Sequence, residues 1–230
     1  MRHKDAIWVG MTTALLALYS GSKAQALVLL DAHYEPVLTH TASIATPPST
    51  PHAFEDYAQT LTAQHSGVIT RIEVQISRGI APAGPLLFEL LTTAQGRPSI
   101  EGPSTVLASA AAPLASITAS LPQYQWYAFE NLSVPVTAGQ SLGIVLQNDS
   151  GGYYGWGCRV GSTYEAGKLF RRSVGASDPP GGTWTPVEGY DAAFRVWMDV
   201  DTIIPEPSAL VLMLSVLSLA TRRNHFSSKQ

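Results

Sequence analysis

Disulfides have no place in this chain. It holds one cysteine, Cys158, so no intrachain bridge can form and the core must cohere without covalent staples. A lone thiol of this kind is expected to be buried rather than reactive. Charge is scarce as well: Asp, Glu, Lys and Arg make up 13% of 230 residues, and the net charge is -3 with no basic block in the central region. Nucleic-acid binding needs a cationic face to neutralise phosphates, so that class of partner is excluded. Zinc-type Cys/His spacings, a Gly-x-Ser-x-Gly elbow and a His-Glu-x-x-His motif are also missing. No internal repeat points to a propeller or solenoid.

Paired carboxylates give no better footing for catalysis. A glycosidase needs two facing a cleft at about 5–10 Å. Glu55, Asp56, Glu73, Glu89, Glu165, Asp191 and Asp199 are scattered, most of them on the polar side of an alternating strand. The chain therefore reads as a non-enzyme with no cofactor. Calcium is the ion that surface sandwiches often hold, and Asp149, Asp178 and Asp191 are available, but no spacing assigns a site.

What is present lies first at the two ends. Arg2, His3 and Lys4 precede a mostly apolar stretch over 6–18, and Ala24-Gln25-Ala26 follows as a small-x-small pattern. This order reads as a secretory signal peptide over 1–26, removed by signal peptidase, with Leu27 the first mature residue. At the other end, residues 208–220 are almost wholly apolar. As a helix they would span roughly 20 Å, short of a hydrocarbon core of about 30 Å. Pro205 and Pro207 cut this segment off from what precedes it, and Arg222 and Arg223 hold its far flank on the cytoplasmic side.

Pro205-Glu206-Pro207, an apolar segment and a terminal arginine pair, in that order, resemble the PEP-CTERM sorting signal of Gram-negative bacteria. The resemblance covers about the last 25 residues. It implies recognition by an exosortase, an integral-membrane cysteine enzyme that cuts near the Pro-Glu-Pro. By that resemblance Pro205, Glu206 and Pro207 are the recognition motif, and Arg222 with Arg223 the retention signal. The protein would be held briefly at the inner membrane and then released or attached at the cell surface, often among exopolysaccharide. A glycolipid-anchor signal is the rival, but it wants a small-residue cleavage site and polar spacer instead.

Between the ends, residues 27–52 read as an irregular extended segment or linker, and 53–202 as the folded domain, with the sorting tail at 203–230. In GVITRIEVQIS, Val68, Ile72, Val74 and Ile76 face one way and Arg71, Glu73, Gln75 and Ser77 the other. LLFELL from Leu86 is apolar on both faces and so central. SLGIVLQ places Leu142, Ile144 and Leu146 inward. AAFRVWMDV sends Phe194, Val196 and Met198 inward and Arg195, Trp197 and Asp199 outward. Weaker strands are expected at 57–61, 105–109, 124–130, 152–158 and 168–172. Eight or nine short strands predict an all-β, two-sheet antiparallel sandwich, jelly-roll-like, with helices only in the signal and in the short C-terminal membrane segment. WYAFENLSVPVTAGQSLGIVLQ, GGYYGWG and GGTWTP are similar to bacterial surface-protein sandwich domains found beside sorting signals.

Tyr153, Tyr154 and Trp156 in SGGYYGWG, with Trp184 in GGTWTP, are candidate glycan-stacking rings. Asn148, Asp149 and Arg159 are nearby candidates for bonding hydroxyls. The competing reading packs these aromatics into the strands, as β-proteins commonly do. The function that follows is an exported surface or matrix protein with a structural or adhesive domain. A carbohydrate-binding module acting on exopolysaccharide is the alternative, and a secreted glycan hydrolase comes third.

Overall fold

The computed structural model describes residues 27–46, 54–94, 96–98, 106–161, 164–174 and 183–200. The signal segment, Asp178, and the tail with Pro205, Glu206, Pro207, Arg222 and Arg223 lie outside the described residues, as do the expected terminal helices. Strands dominate the unit Val28–Val200. They are β1 (Leu27–Tyr34), β2 (His40–Thr46), β3 (Phe54–Thr62), β4 (Gly67–Arg78), β5 (Leu86–Ala94), β6 (Arg97–Pro98), β7 (Val106–Ala112) and β8 (Gln125–Phe129). There follow β9 (Val134–Val136), β10 (Ser141–Gln147), β11 (Gly152–Val160), β12 (Leu169–Val174), β13 (Thr185–Pro186), β14 (Tyr190–Ala192) and β15 (Phe194–Val200).

The hydrogen-bonded path runs β1-β15-β4-β11-β2-β3-β10-β5-β6. It folds over as two antiparallel sheets in a sandwich-like arrangement. Among the described residues the ladder between β2 and β3 has one pair, Ala45 with Glu55, and there the first sheet gives way to the second. In the first sheet, β4 pairs with β15 and β11 along one edge and with β8 and β9 along the other. In the second, β3 lies between β10 and β12, and β5 between β10 and β7.

Alternation explains the core. Ile72, Val74 and Ile76 of β4 and Phe194, Val196 and Met198 of β15 are fully buried, in one cluster with Leu61, Phe88, Leu90, Ile144 and Leu146 from the second sheet. Each such side chain contributes about 1.5–3 kcal/mol on leaving water. The rings of Phe88 and Phe129 stack within this cluster at 4.3 Å. One polar group bridges the sheets through it: buried Gln59 donates to Asp191 Oδ1 at 3.1 Å and accepts from the Ala192 amide at 2.8 Å. Residues of opposite parity on the second sheet, Ala58, Leu91, Val145 and Phe170, form a smaller cluster with Trp184 on its other side.

Two expectations are corrected here. Residues 27–52 were expected to be irregular, yet β1 and β2 occupy most of them, and β2 pairs with β11 over seven positions from Thr46–Gly152 to His40–Cys158. Val68 was expected inward with Ile72, but Ile69 is the buried residue and Val68 is half-buried. The register explains the difference. Trp197 pairs with Arg71 and Met198 with Ile69, so Thr70 is an extra residue that shifts the parity below it.

Candidate functional site

The glycine-rich SGGYYGWG is strand rather than loop, and this decides where its aromatics go. Gly155 and Gly157 are small because their neighbours press close. A Cβ at Gly155 would stand 2.6 Å from Thr41 Cγ2, and one at Gly157 would stand 2.5 Å from Leu38 Cδ1. Trp156 and Tyr154 between them are fully buried. Trp156 Nε1 donates to the Ala193 carbonyl at 2.9 Å, and the Tyr154 hydroxyl donates to the Gly84 carbonyl at 2.5 Å. Neither ring offers a face to a sugar, so both take the packing reading. Tyr153 is half-buried beside Gly79.

Trp184 is also buried, at 4% exposure, in the smaller cluster. The Arg172 guanidinium lies 4.7 Å from its ring centroid and is paired with Asp56 through Nη2 at 2.5 Å and Nε at 3.1 Å. Burial pushes the Asp56 carboxyl above its usual range, more strongly than the Arg172 hydrogen bond pulls it down. Asn148 is buried and serves its own turn: Oδ1 accepts from the Ser150 amide and hydroxyl. Asp149 and Arg159 are exposed. Tyr153, Tyr154, Trp156 and Trp184 thus present no shared stacking surface.

A different set does gather. On the outward side of the first sheet, the register sets Trp126 beside Gln75, Arg195 beside Glu73 and Trp197 beside Arg71. Glu73 is 4% exposed and anchors the group. It accepts from Arg71 Nη2, from Arg195 Nη1 at 3.3 Å and from Trp197 Nε1 at 3.3 Å. Arg195 also donates to Glu35 at 2.6 Å, and that hydrogen bond holds the Glu35 carboxyl below its usual range. The Arg195 guanidinium stacks 4.0 Å from the Trp126 ring, and Arg71 lies 5.6 Å from that of Trp197. Both indoles remain partly exposed.

No family model matches the chain, and no curated protein matches it. Alternation already sends Trp197 outward. Trp126 was missed because Tyr127 and Phe129 follow it, and three aromatics in five residues conceal which parity is outside.

Two further buried carboxylates are engaged. Asp31 is buried and accepts from the Gln64 and His65 amides at 3.1 and 2.8 Å, with His65 Nδ1 2.9 Å from its Oδ1. Asp191 holds Gln59 as above. Among the described residues, no three His, Cys, Asp or Glu side chains gather as a metal site. An open cleft of about 240 Å³ is lined by His40, Thr41, Pro122 and Tyr124, with the Thr41 and Tyr124 hydroxyls bonded to each other.

Cys158 is 1% exposed, and burial pushes its thiol up to about 11. Thiolate is the reactive form, so at pH 8 the native protein is expected to resist a water-soluble thiol reagent while the denatured chain takes up one equivalent. Stoichiometric labelling of native protein would show that this strand opens readily.

Proposed function

We propose that this chain is an exported bacterial surface or matrix protein, delivered by its two ends and structural or adhesive in its middle. The observation that carries the reading is the ordered tail: Pro205-Glu206-Pro207, an apolar run, then Arg222 and Arg223. It begins just past Val200, where the β unit ends. The last described strand ends at Val200, so a cut near Pro205 falls outside every described strand. The proposed sequence of events is a signal helix removed before Leu27, transient inner-membrane anchoring by a short C-terminal helix, and processing by an exosortase-type enzyme.

The central unit is proposed to be a jelly-roll-like sandwich with a non-catalytic role. Its first and last strands are neighbours, and its ladders join strands far apart in the chain. Its buried carboxylates Asp31, Asp56, Glu73 and Asp191 are each held by amide, guanidinium or indole donors. Such groups serve as structural anchors.

Intact mass of the protein recovered from its native cells tests the delivery. A chain beginning near Leu27 and ending near Pro205-Glu206-Pro207 is expected, with any surplus mass reporting what was attached. A chain that still carries 208–230 overturns the sorting reading.

A further inference from the structure

The outward row on the first sheet has the features of a binding surface, and they select among ligands. Its two indoles sit on β8 and β15, on either side of β4, at the levels of Gln75 and Arg71. Two strand spacings across and four residues along separate their backbones by roughly 16 Å. That is room for several units of a linear chain lying diagonally over the sheet. The guanidiniums between them are fixed by Glu73 and Glu35, so little side-chain freedom remains to be lost on binding.

Charge narrows the choice. Arg71 and Arg195 are balanced by Glu73 and Glu35, and Asp199 is outward on the same strand as Arg195 and Trp197. The face therefore offers an anion no net attraction. It does present donors and acceptors together, beside apolar rings. The Arg71 and Arg195 side chains are 41% and 26% exposed, so their guanidiniums can reach ligand hydroxyls, which accept as readily as they donate.

We propose that Trp126, Arg195, Glu73, Arg71 and Trp197 form a platform for a neutral polysaccharide, whose sugar rings lie along the indoles while hydroxyls meet the guanidiniums. The proposal rests on the adhesive part of the function above and gives it a ligand class and a face.

The test uses the purified full chain and its depletion from solution by insoluble cellulose, β-1,3-glucan and starch, with alginate as the acidic comparison. Retention on at least one neutral polymer is expected. It should persist in about 1 M sodium chloride, where the Debye length is roughly 3 Å. Trp126→Ala and Trp197→Ala are each expected to weaken it about tenfold or more. Arg71→Gln, which leaves both indoles in place, should weaken it severalfold with an unchanged near-UV spectrum. Three results overturn the proposal: no retention on any neutral polymer, retention on alginate alone that salt abolishes, or neutral retention indifferent to all three substitutions. Indole and guanidinium also suit protein interfaces. A dimer that Trp197→Ala disperses, with no polymer bound, would assign the face to a second copy instead. Correct processing near Pro205 with failed retention removes only the platform. Retention by a chain with an uncut tail removes only the sorting.

Discussion

Replacing Trp156 by alanine is expected to cost about 4–8 kcal/mol. Removing a buried tryptophan from a packed core costs about 3–5 kcal/mol, because the surroundings refill only part of the cavity. A further 1–3 kcal/mol or so applies where a buried acceptor loses its donor, as the Ala193 carbonyl would. Domains of this size have total stabilities of about 5–15 kcal/mol, so the variant should lie near the edge of folding. Its thermal midpoint should fall by on the order of 10–20 °C. Urea titration at constant slope reads the difference directly. A cost under about 1 kcal/mol would mean that the ring is accessible, and the first sheet would need to be redrawn. Trp197→Ala supplies the contrast: its ring is partly exposed, and losing one guanidinium contact and the hydrogen bond to Glu73 should cost only about 2 kcal/mol.

Arg172→Met should cost nearly as much, by another route. Asp56 and Arg172 are 7% and 10% exposed in their side chains, and Arg172 also packs against Trp184. Removing one member of a buried ion pair leaves the other charged and uncompensated, typically a loss of about 3–5 kcal/mol. The pH dependence identifies the cause. Burial already raises the Asp56 carboxyl in the folded protein, and Arg172 opposes that rise. Without Arg172 the folded carboxyl rises further, so the folded state binds its proton more tightly than the unfolded state does. Stability then falls as pH rises through the folded pKa, and the deficit of the variant should shrink as pH is lowered toward the ordinary aspartate value of about 3.9. The pair Asp56→Leu with Arg172→Met should recover most of the loss at neutral pH, because apolar replacements leave no charge behind. A deficit independent of pH would place the damage in packing against Trp184.

Much of this architecture was legible wherever one face of a strand meets the core and the other meets water. β4, β10 and β15 alternate apolar and polar residues, and their inward sets were read directly except at the Thr70 bulge. A bulge leaves no mark in composition, so Ile69 and Val68 exchanged places. β2 was missed because its inward residues, Ala42 and Ile44, carry little apolar bulk among Thr and Ser. β1 was missed because LVLL has no alternation to read. Residue type misled most at the aromatics. Glycines around Trp156 looked like a loop displaying rings, whereas they are spaces that Thr41, Ser77 and Leu38 require across the ladder. The outward cluster needs three strands in register: Arg71, Glu73, Arg195 and Trp197 could each be oriented from its own segment, but Trp126 could not, and no segment alone shows that they meet.

The position of β15 has a consequence for the order of synthesis. It is the last strand of the unit, yet it stands between β1, the first, and β4. As the chain leaves the ribosome, β1 and β4 emerge early and have no shared partner until Phe194–Val200 follows. Pairings between distant parts of a chain are slow to form in any case. Here the first sheet has a gap at its interior through nearly the whole of translation. Until β15 emerges, β4 can already pair with β8, β9 and β11, but β1 has nothing on the first sheet to join.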